Sequence, residues 1–329
     1  MGSYIVRRVV AMVLVLIALS IVVFLLFAAL PTNPAALTCG KQCTPQVIKQ
    51  NEIRLGYDKP IYVQYGRFVK GVFVGRTYGS GTQTFECPAP CLGYSFFRGE
   101  NVTDLIKSRV PVTAVEAAGA FVLWMVGGVV VGVIAALRRG RWQDRVSMAL
   151  ALVGYSFPTF FIGLVLLYFV IFKFKLMAYP AFTPLSVDPG AYLRSFILPW
   201  ITLAVIYAAL YARLTRNQML DTLGEDFIRT ARAKGLSERM VIGKHGMRAG
   251  LTPIVTAAGL DLSALLGGAV ITETVFGLPG LGKLTLDAVL QSDLPLMTAT
   301  VLVVASFIVV ANLVVDLLYA VIDPRVRLG

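Results

Sequence analysis

The cysteines are the residues whose spacing most directly suggests chemistry. All four lie within positions 31–111, as Cys39 with Cys43 and Cys87 with Cys91, and both pairs have the spacing C-x3-C. Such a set can form disulfides or a four-cysteine zinc site. The orientation argued below places this segment outside the cytoplasm, where disulfides are favoured, and structural zinc sites often use the tighter C-x2-C spacing. We therefore predict bracing disulfides, with three connectivities open, and no metal site.

A glycine-rich segment and a single histidine are the other candidates for catalysis. The segment Gly277-Leu-Pro-Gly-Leu-Gly-Lys283 approaches the phosphate-binding pattern GxxxxGK[ST], but Leu284 follows it and no strand is expected before it. We interpret it as a loop that joins two spans at the outer mouth. His245 is the only histidine, so it forms neither a metal site nor a Ser–His pair. The chain is therefore not predicted to hydrolyse ATP or to carry a catalytic residue.

Four acidic residues occur within or near long apolar runs: Glu116, Asp261, Glu273 and Asp316. A charge in lipid is costly, so each should face a cavity or a partner. Asp261 is the deepest, and two interpretations stay open: it lines a translocation path and meets a substrate amine, or it pairs with a neighbouring helix. Glu273 is a second candidate for the path, although its place near the end of a run also suits a capping or interfacial role.

The composition identifies the elements that position these residues. Hydrophobic residues make up 57% of the 329 residues and charged residues 15%, against about 25% charged in an average soluble domain. This excludes a soluble globular enzyme, a disordered protein and a coiled coil, and it indicates an all-α polytopic membrane protein. Since lipid offers no hydrogen bonds, each long apolar run should be a helix, kinked or broken where Pro158 and Pro199 interrupt it. We predict six transmembrane helices, at about 9–30, 112–137, 146–172, 196–216, 251–276 and 297–322.

The distribution of basic residues predicts the orientation. With the N-terminus inside, the inner loops and termini hold 16 Lys and Arg, against four in the short outer loops. Both termini are then cytoplasmic, and the net charge of +12 reflects retention of basic residues inside rather than binding to nucleic acid. The predicted organisation is a first span at 1–30, a folded extracytoplasmic cap at 31–111, and a core at 112–329 with five spans.

The cytoplasmic loop 217–250 is long, basic and helix-forming. Thr222 and Glu225 match a capping box, so a helix is predicted to start there, and Gly235 is expected to end it. On these residues the helix could fill a groove on another protein or lie on the lipid surface. Its apolar stripe is predicted to be Leu223, Phe227 and Ala231.

The stretch Asp226-Phe-Ile-Arg-Thr-Ala-Arg-Ala-Lys-Gly-Leu-Ser237 resembles the cytoplasmic EAA loop of ABC importer permeases. The version is that of B-type permeases of the dipeptide/oligopeptide/nickel family. Further similar motifs are Tyr4-Ile-Val-Arg-Arg8, Leu30-Pro-Thr-Asn-Pro-Ala35, Leu55-Gly-Tyr-Asp-Lys-Pro60, Arg109-Val-Pro-Val-Thr113, Glu273-Thr-Val-Phe-Gly-Leu-Pro-Gly-Leu-Gly282, Asp316-Leu-Leu-Tyr319 and Asp323-Pro-Arg-Val-Arg327. Two features depart from the family pattern: the insert at 82–92, and Thr230-Ala231-Arg232-Ala233 in place of Glu-Ala-Ala.

The resemblance implies a type I ABC importer permease in the bacterial inner membrane, in contact with the lipid bilayer. It implies pairing with a homologous C-type permease, two ATP-binding subunits or domains that bind ATP and Mg, and an extracytoplasmic substrate-binding protein that delivers peptide. The chain itself would be a channel subunit without a cofactor, not an enzyme, and it would not bind nucleic acid. Which peptide or related compound is carried stays open.

The same resemblance identifies the predicted helix at 222–235 as the helix that couples the permease to an ATPase. Apolar side chains would anchor it in a groove, and Arg229, Arg232 and Lys234 would pair with acidic residues at the rim. The residues assigned to coupling are Leu223, Asp226, Phe227, Arg229, Thr230, Ala231, Ala233, Lys234 and Gly235.

Two other function classes have weaker support in the sequence. A secondary transporter that works without ATPases would need repeats and broken helices carrying ion-coupling groups at mid-membrane, and only Asp261 is a deep charge. An intramembrane enzyme would need a paired nucleophile and base or a metal cluster, which the residues do not supply.

Overall fold

The computed structural model describes residues 2–28, 44–80, 83–179, 181–267 and 269–322. Within them, five helices are long and apolar enough to cross a membrane, and the count becomes six if one bent helix pair is a single span. The chain forms two compact units: Met1–Thr113 with Pro279–Val310, and Ala114–Leu278 with Ala311–Gly329. The predicted division into first span, cap and core is a division by side of the membrane, and it stays a prediction.

The first unit contains the predicted cap and the segment that precedes the last span. Its helices are α1 (Gly2–Ala28), α2 (Pro45–Leu55), α3 (Ile61–Val74), the start of α4 (Val102–Leu137), α12 (Leu281–Leu290) and the first part of α13 (Leu294–Ile322). Two small antiparallel sheets were not predicted: β1 (Arg76–Ser80) pairs with β2 (Gln83–Cys87), and β3 (Tyr94–Ser95) pairs with β4 (Glu100–Asn101). The predicted all-α polytopic class is confirmed by the mostly helical fold, and these two short sheets are an unpredicted addition to the cap segment.

A disulfide between Cys87 and Cys91 follows strand β2. This bond confirms the disulfide prediction for that pair and excludes a zinc site that uses all four thiolates. Cys39 and Cys43 lie outside the described residues. The aromatic ring of Phe85 stacks on that of Tyr94 at a centroid distance of 4.8 Å, so the two sheets share an aromatic cluster.

The β3–β4 hairpin is hydrogen-bonded to the residue before α13, within the same unit. The Ser95 hydroxyl donates to the Asp293 carboxylate, which also accepts a hydrogen bond from the Leu296 N–H at 3.4 Å and so caps α13. Burial raises the pKa of Asp293, and the bond from Ser95 opposes that rise. The Arg98 guanidinium adds a bond of 3.1 Å to the Gln291 side chain.

The second unit contains the remaining spans and the loop predicted to be cytoplasmic. Its elements are the rest of α4, α5 (Trp142–Ser156), α6 (Thr159–Leu166) with a π-helical extension (Leu167–Lys173), α7 (Pro189–Gly224), α8 (Asp226–Ala233), the short α9 (Glu238–Met240), a π-helical turn (Val241–Gly246), α10 (Met247–Leu266) and α11 (Val270–Phe276).

Close approach at glycines joins α4 to α7. A Cβ atom on Gly128 would lie 2.7 Å from the Tyr211 Cβ, and one on Gly132 would lie 2.6 Å from the Ala212 carbonyl oxygen. Both distances are shorter than any ordinary contact, so only glycine fits there. Small residues at such positions let membrane helices pack backbone to backbone.

The turn between α4 and α5 is held by a buried ion pair. The Arg216 guanidinium in α7 donates to both oxygens of Asp144, at 2.5 and 2.8 Å. The same carboxylate accepts the Gly140 N–H at 2.9 Å, and Gly140 has the left-handed φ of 76°. Asp144 is 4% exposed, so a fully bonded carboxylate ties this turn to α7.

Two predictions about span ends were wrong. The predicted run 251–276 is divided, because α10 ends at Leu266 and α11 is a separate helix. The predicted fourth span, 196–216, lies within the longer α7, which reaches Gly224, so the loop predicted to be cytoplasmic starts later than position 217. Apolar composition marks the lipid-facing part of a helix, whereas backbone hydrogen bonding continues beyond it.

The two prolines predicted to interrupt spans behave differently. At Pro158 the prediction is confirmed: Phe157 is extended, with φ −94° and ψ 138°, and the flanking helices meet at 101°. At Pro199 the helix is not broken, because α7 continues through it; a local kink there stays a prediction.

Candidate functional site

The candidate coupling helix is α8, and it begins at Asp226 rather than at Thr222. Glu225 is extended, with φ −69° and ψ 151°, and separates α8 from α7. Its N–H bonds back to the Thr222 carbonyl at 3.2 Å and so closes the last turn of α7. Thr222 is buried within α7, so the predicted capping box was wrong. Tertiary packing of Thr222 decided this, and no local pattern could reveal it.

The end of α8 confirms the role predicted for Gly235. This glycine has φ 76°, and its N–H bonds to the Arg232 carbonyl at 2.9 Å, while the Leu236 N–H bonds to the Ala231 carbonyl at 3.3 Å. These two bonds form a Schellman motif, which needs a left-handed residue. The loop therefore leaves α8 in a defined direction.

The buried face of α8 differs from the predicted stripe. Ile228 and Ala231 pack with Val241 in a small core, with Leu236 at its edge. Leu223 belongs to α7 and not to α8. Sequence analysis missed Ile228, although its spacing of three from Ala231 is a helical signal that could have found it. Ala231 was predicted to face a partner, and its burial in this core contradicts that.

The opposite face of α8 is open. Phe227 has an exposed fraction of 45%, and Arg229, Thr230, Ala233 and Lys234 are also exposed. Arg229 pairs with Asp226 at 3.2 Å, but both side chains are more than 70% exposed, so this pair adds little stability. Arg232, predicted to reach a partner, donates to Glu238 of the same loop at 2.8 Å. The result is a short, braced helix with one exposed aromatic side chain among charged residues.

Asp261 lies on α10 and is partly exposed. The Tyr211 hydroxyl in α7 donates to one of its carboxylate oxygens at 2.6 Å. The Tyr207 ring, one turn earlier, stacks on that of Trp124 at 4.6 Å. The pairing with a neighbouring helix is thus present, and the partial exposure leaves the carboxylate accessible from one side.

The second candidate for the path, Glu273, is fully buried in α11. It lies near enough to Glu116 for their charges to interact. Both Glu116 carboxylate oxygens are buried without a hydrogen bond in the described residues. These two carboxyls belong to the packed interior of the unit, whereas Asp261 is partly exposed. The side chain of Asp316 lies outside the described residues.

The segment that approaches a phosphate-binding loop follows helix α11, not a strand. Gly277 ends α11 in the left-handed conformation, with φ 68°. The first N–H of α12, from Leu281, donates to the Thr113 hydroxyl at 2.8 Å. One backbone N–H group at the start of α12 is thus already hydrogen-bonded within the chain. Among the described residues, no group of three or more His, Cys, Asp or Glu is placed to hold a metal ion.

Several known proteins are similar to this chain. A putative peptide transport system permease protein of Brucella abortus (strain 2308) is 37% identical over 329 residues, with 99% of each chain covered. The glutathione transport system permease protein of Escherichia coli (strain K12) is 37% identical over 327 residues, again with 99% of each chain covered. A solved chain of the MetNI methionine ABC transporter, in an inward-facing form, matches 67% of this chain and 97% of its own length, with a TM-score of 0.51 at 18% identity. This last likeness shows the fold.

Two family descriptions account for most of the sequence. Residues 1–117 match the N-terminal part of binding-protein-dependent transport system membrane components. Residues 128–328 match the family described as binding-protein-dependent transport system inner membrane component. The chain therefore belongs to the family of inner membrane components of binding-protein-dependent transport systems.

Proposed function

We propose that this chain is the transmembrane permease subunit of an ATP-driven importer for peptides. It would form the translocation path with a homologous C-type permease and work by alternating access. Family membership and the full-length relatives named as peptide permeases support the proposal. The structural observation that carries it is α8, a short helix buried on one face and presenting Phe227 on the other.

Helix α8 is built to transmit motion. Only the extended Glu225 separates it from α7, and the Schellman motif and the core around Ile228 hold its other end. A partner that binds the exposed face of α8 would therefore move α8 as a rigid body. That movement would pull on α7, which is a candidate span. We assign the groove contact to Phe227, and the rim contacts to Arg229 and Lys234.

The remaining partners follow from this assignment. Two ATP-binding subunits or domains would bind ATP and Mg and supply hydrolysis, so the chain needs no cofactor and no catalytic residue. An extracytoplasmic binding protein would release peptide to the path, where Asp261 would meet the peptide's amino group. The chain would lie in a bacterial inner membrane with both termini cytoplasmic. The alternative of a secondary transporter without ATPases is not favoured, since the family is that of binding-protein-dependent systems.

The coupling assignment is tested by truncating the exposed aromatic side chain. We expect Phe227→Ala to weaken retention of the ATPase subunits on the tagged permease at least tenfold, since an exposed aromatic anchor typically dominates a small interface. Peptide-stimulated ATP hydrolysis in proteoliposomes should fall with it. Phe97→Ala is the matched control, because Phe97 is also exposed, at 65%, but lies in the β3–β4 hairpin.

The outcomes separate the alternatives. Loss of ATPases in Phe227→Ala, with normal amounts of inserted chain and an unaffected Phe97→Ala, supports the coupling role. Full retention of ATPases in Phe227→Ala would refute the contact at α8. Peptide uptake by the purified chain in the absence of ATP and ATPases would refute the importer itself.

A further inference from the structure

Helix α3, in the segment predicted to form the external cap, packs against the C-terminal end of α1. The ring of Phe24 lies 5.4 Å from that of Tyr65 and 5.9 Å from that of Phe68, measured between ring centroids. The hydroxyls of Ser20 and Tyr65 share a hydrogen bond of 2.7 Å. Ring contacts and a side-chain hydrogen bond therefore fix α3 against α1 at a known level.

That level lies inside the membrane. Helix α1 is a candidate span over Ile5–Phe27, which is 23 residues. At about 1.5 Å per residue this length matches the hydrocarbon thickness of about 30 Å. Ser20 is far enough before Phe27 to lie about 10 Å deeper along the helix. Tyr65, which is hydrogen-bonded to Ser20, is therefore below the membrane surface rather than above it.

Helix α3 carries an apolar stripe that is largely open. The stripe consists of Tyr62, Gly66, Val69 and Phe73, whose alternating spacings of four and three place them on one face of the helix. Tyr62 and Phe73 are each 77% exposed, and a Cβ atom on Gly66 would meet nothing within 4 Å. An exposed apolar surface of this kind marks a contact with a partner or a membrane.

The side of α3 away from the stripe carries basic residues. Arg67 and Lys70 are both exposed. Arg67 lies about 140° around the helix from Tyr62, since each residue turns the helix by about 100°. Long basic side chains keep their charged ends in water while their stems cover apolar surface. The helix is therefore amphipathic, as interfacial helices are.

An apolar groove joins the stripe to the surface of α1. The residues that line it are Ile21, Phe24 and Leu25 of α1 and Ile61, Tyr62 and Tyr65 of α3. Beside the groove, Val22 and Leu26 of α1 are 59% and 58% exposed. Because α1 is a candidate span, lipid chains cover these side chains. Tyr62 belongs to both the groove and the stripe, so the same lipid reaches the stripe.

We propose that α3 lies in the membrane interface, with the stripe in the hydrocarbon of the leaflet that holds the C-terminal end of α1. The orientation predicted from the basic residues makes this the outer leaflet. Interfacial helices bury their apolar face by about 5–10 Å, which agrees with the level of Tyr65. The partner of the stripe is thus the lipid surface, and α3 anchors the cap segment to the membrane between two spans.

A protein partner is the other candidate for covering the stripe. Protein interfaces carry about one hydrogen bond per 100–200 Å², but the only polar side-chain group in the stripe is the Tyr62 hydroxyl. The Tyr65 hydroxyl in the groove is already bonded to Ser20. Few polar groups and continuity with the surface of α1 both favour lipid.

The proposal is tested by photo-crosslinking in native membranes, with p-benzoylphenylalanine in place of Phe73 or, separately, of Tyr62. After irradiation, the mass of the purified chain should rise by that of one phospholipid in both variants. The same replacement at Arg67, exposed on the other side of α3, is the matched control and should give about fivefold less lipid adduct. Replacement of Val22, exposed on α1, is the positive control.

A further probe keeps the test decisive if replacing either ring reduces insertion of the chain. The replacement at Gly66 projects into open space and should also give lipid adducts. Crosslinks from the stripe to another protein would overturn the proposal in favour of a protein interface. Lipid adducts at Val22 but none at the stripe would overturn it too, as would equal adducts at Arg67 and Phe73. None of these readouts requires transport, so they are independent of the proposed importer function.

Discussion

At the scale of single residues, the Asp261 carboxyl group has one hydroxyl donor, from Tyr211. Tyr211 donates to one oxygen at 2.6 Å, which leaves the second oxygen for another donor, and the side chain is partly exposed. A charged residue within a span that is accessible and only partly satisfied is typical of a substrate path. The chemistry complementary to this site is a primary amine.

The first residue-scale prediction concerns that amine. Asp261→Asn should raise the KM for peptides with a free amino terminus roughly tenfold, because one charge-assisted hydrogen bond contributes about 1.5–3 kcal/mol. The KM for N-acetylated peptides should stay as in the wild type. Uptake into proteoliposomes measures both. Asp104→Asn, at an exposed carboxylate in the first turn of α4, is the matched control. Equal losses for free and acetylated peptides would show a structural role instead.

The second residue-scale prediction contrasts a buried ion pair with an exposed one. Asp144→Ala should destabilise the chain by about 3 kcal/mol, because it leaves the Arg216 charge without its partner in a largely buried place. Arg229→Ala breaks the exposed pair with Asp226 and should cost less than about 1 kcal/mol. Thermal unfolding of both variants in the same nanodiscs gives the comparison. Similar midpoints would contradict the assigned difference.

At the scale of elements, the contact between α4 and α7 depends on glycine. Gly128→Ala should destabilise the protein by about 1–3 kcal/mol, because its Cβ would lie 2.7 Å from the Tyr211 Cβ and 3.0 Å from the Ala208 carbonyl. The neighbouring Gly127→Ala is the matched control, since its Cβ would meet only the Ala208 Cβ, at 3.9 Å, and the substitution should be neutral. Thermal unfolding in nanodiscs measures both. A neutral Gly128→Ala would show that α7 is free to move away.

Two prolines show how packing decides the path of an element. The residue before Pro158 is extended, as the proline ring favours, and the helix ends there. Before Pro199, Leu198 stays helical, at 2% exposed, and Phe196 is fully buried. A proline inside a helix typically costs about 3 kcal/mol, and neighbouring groups in a membrane protein can offset that. The tight packing around Pro199 explains why α7 continues, although both positions look alike in sequence.

At the scale of the whole molecule, the basic residues predict which side each segment occupies. A cysteine at Thr77, exposed in β1, should react with a membrane-impermeant maleimide in intact spheroplasts, above the background of the unmodified chain. A cysteine at Ser237, exposed after α8, should react only after permeabilisation. The reverse pattern would invert the topology and remove α8 from the reach of cytoplasmic ATPases.

The sequence by itself determined the class of protein and the apolar runs that can span a membrane, of which the described residues contain five, or six if one bent helix pair is a single span. A span is a local property, since about 20 consecutive apolar residues must satisfy their own hydrogen bonds in lipid. The same holds for the end of α8, because only glycine at position 235 readily adopts the left-handed conformation that the motif requires. The family resemblance rested on such local motifs and was confirmed by the full-length relatives.

The tertiary structure decided which faces are used and where helices end. Ile228 rather than Leu223 lies under α8, because the fold places Val241 beneath it. The Ser95 hydroxyl donates to Asp293 across 198 positions of sequence, and the Tyr211 hydroxyl of α7 donates to Asp261 of α10 across 50 positions. Each of these contacts joins residues that no helical period relates. Their energies depend on burial and on partners that only the folded chain brings together.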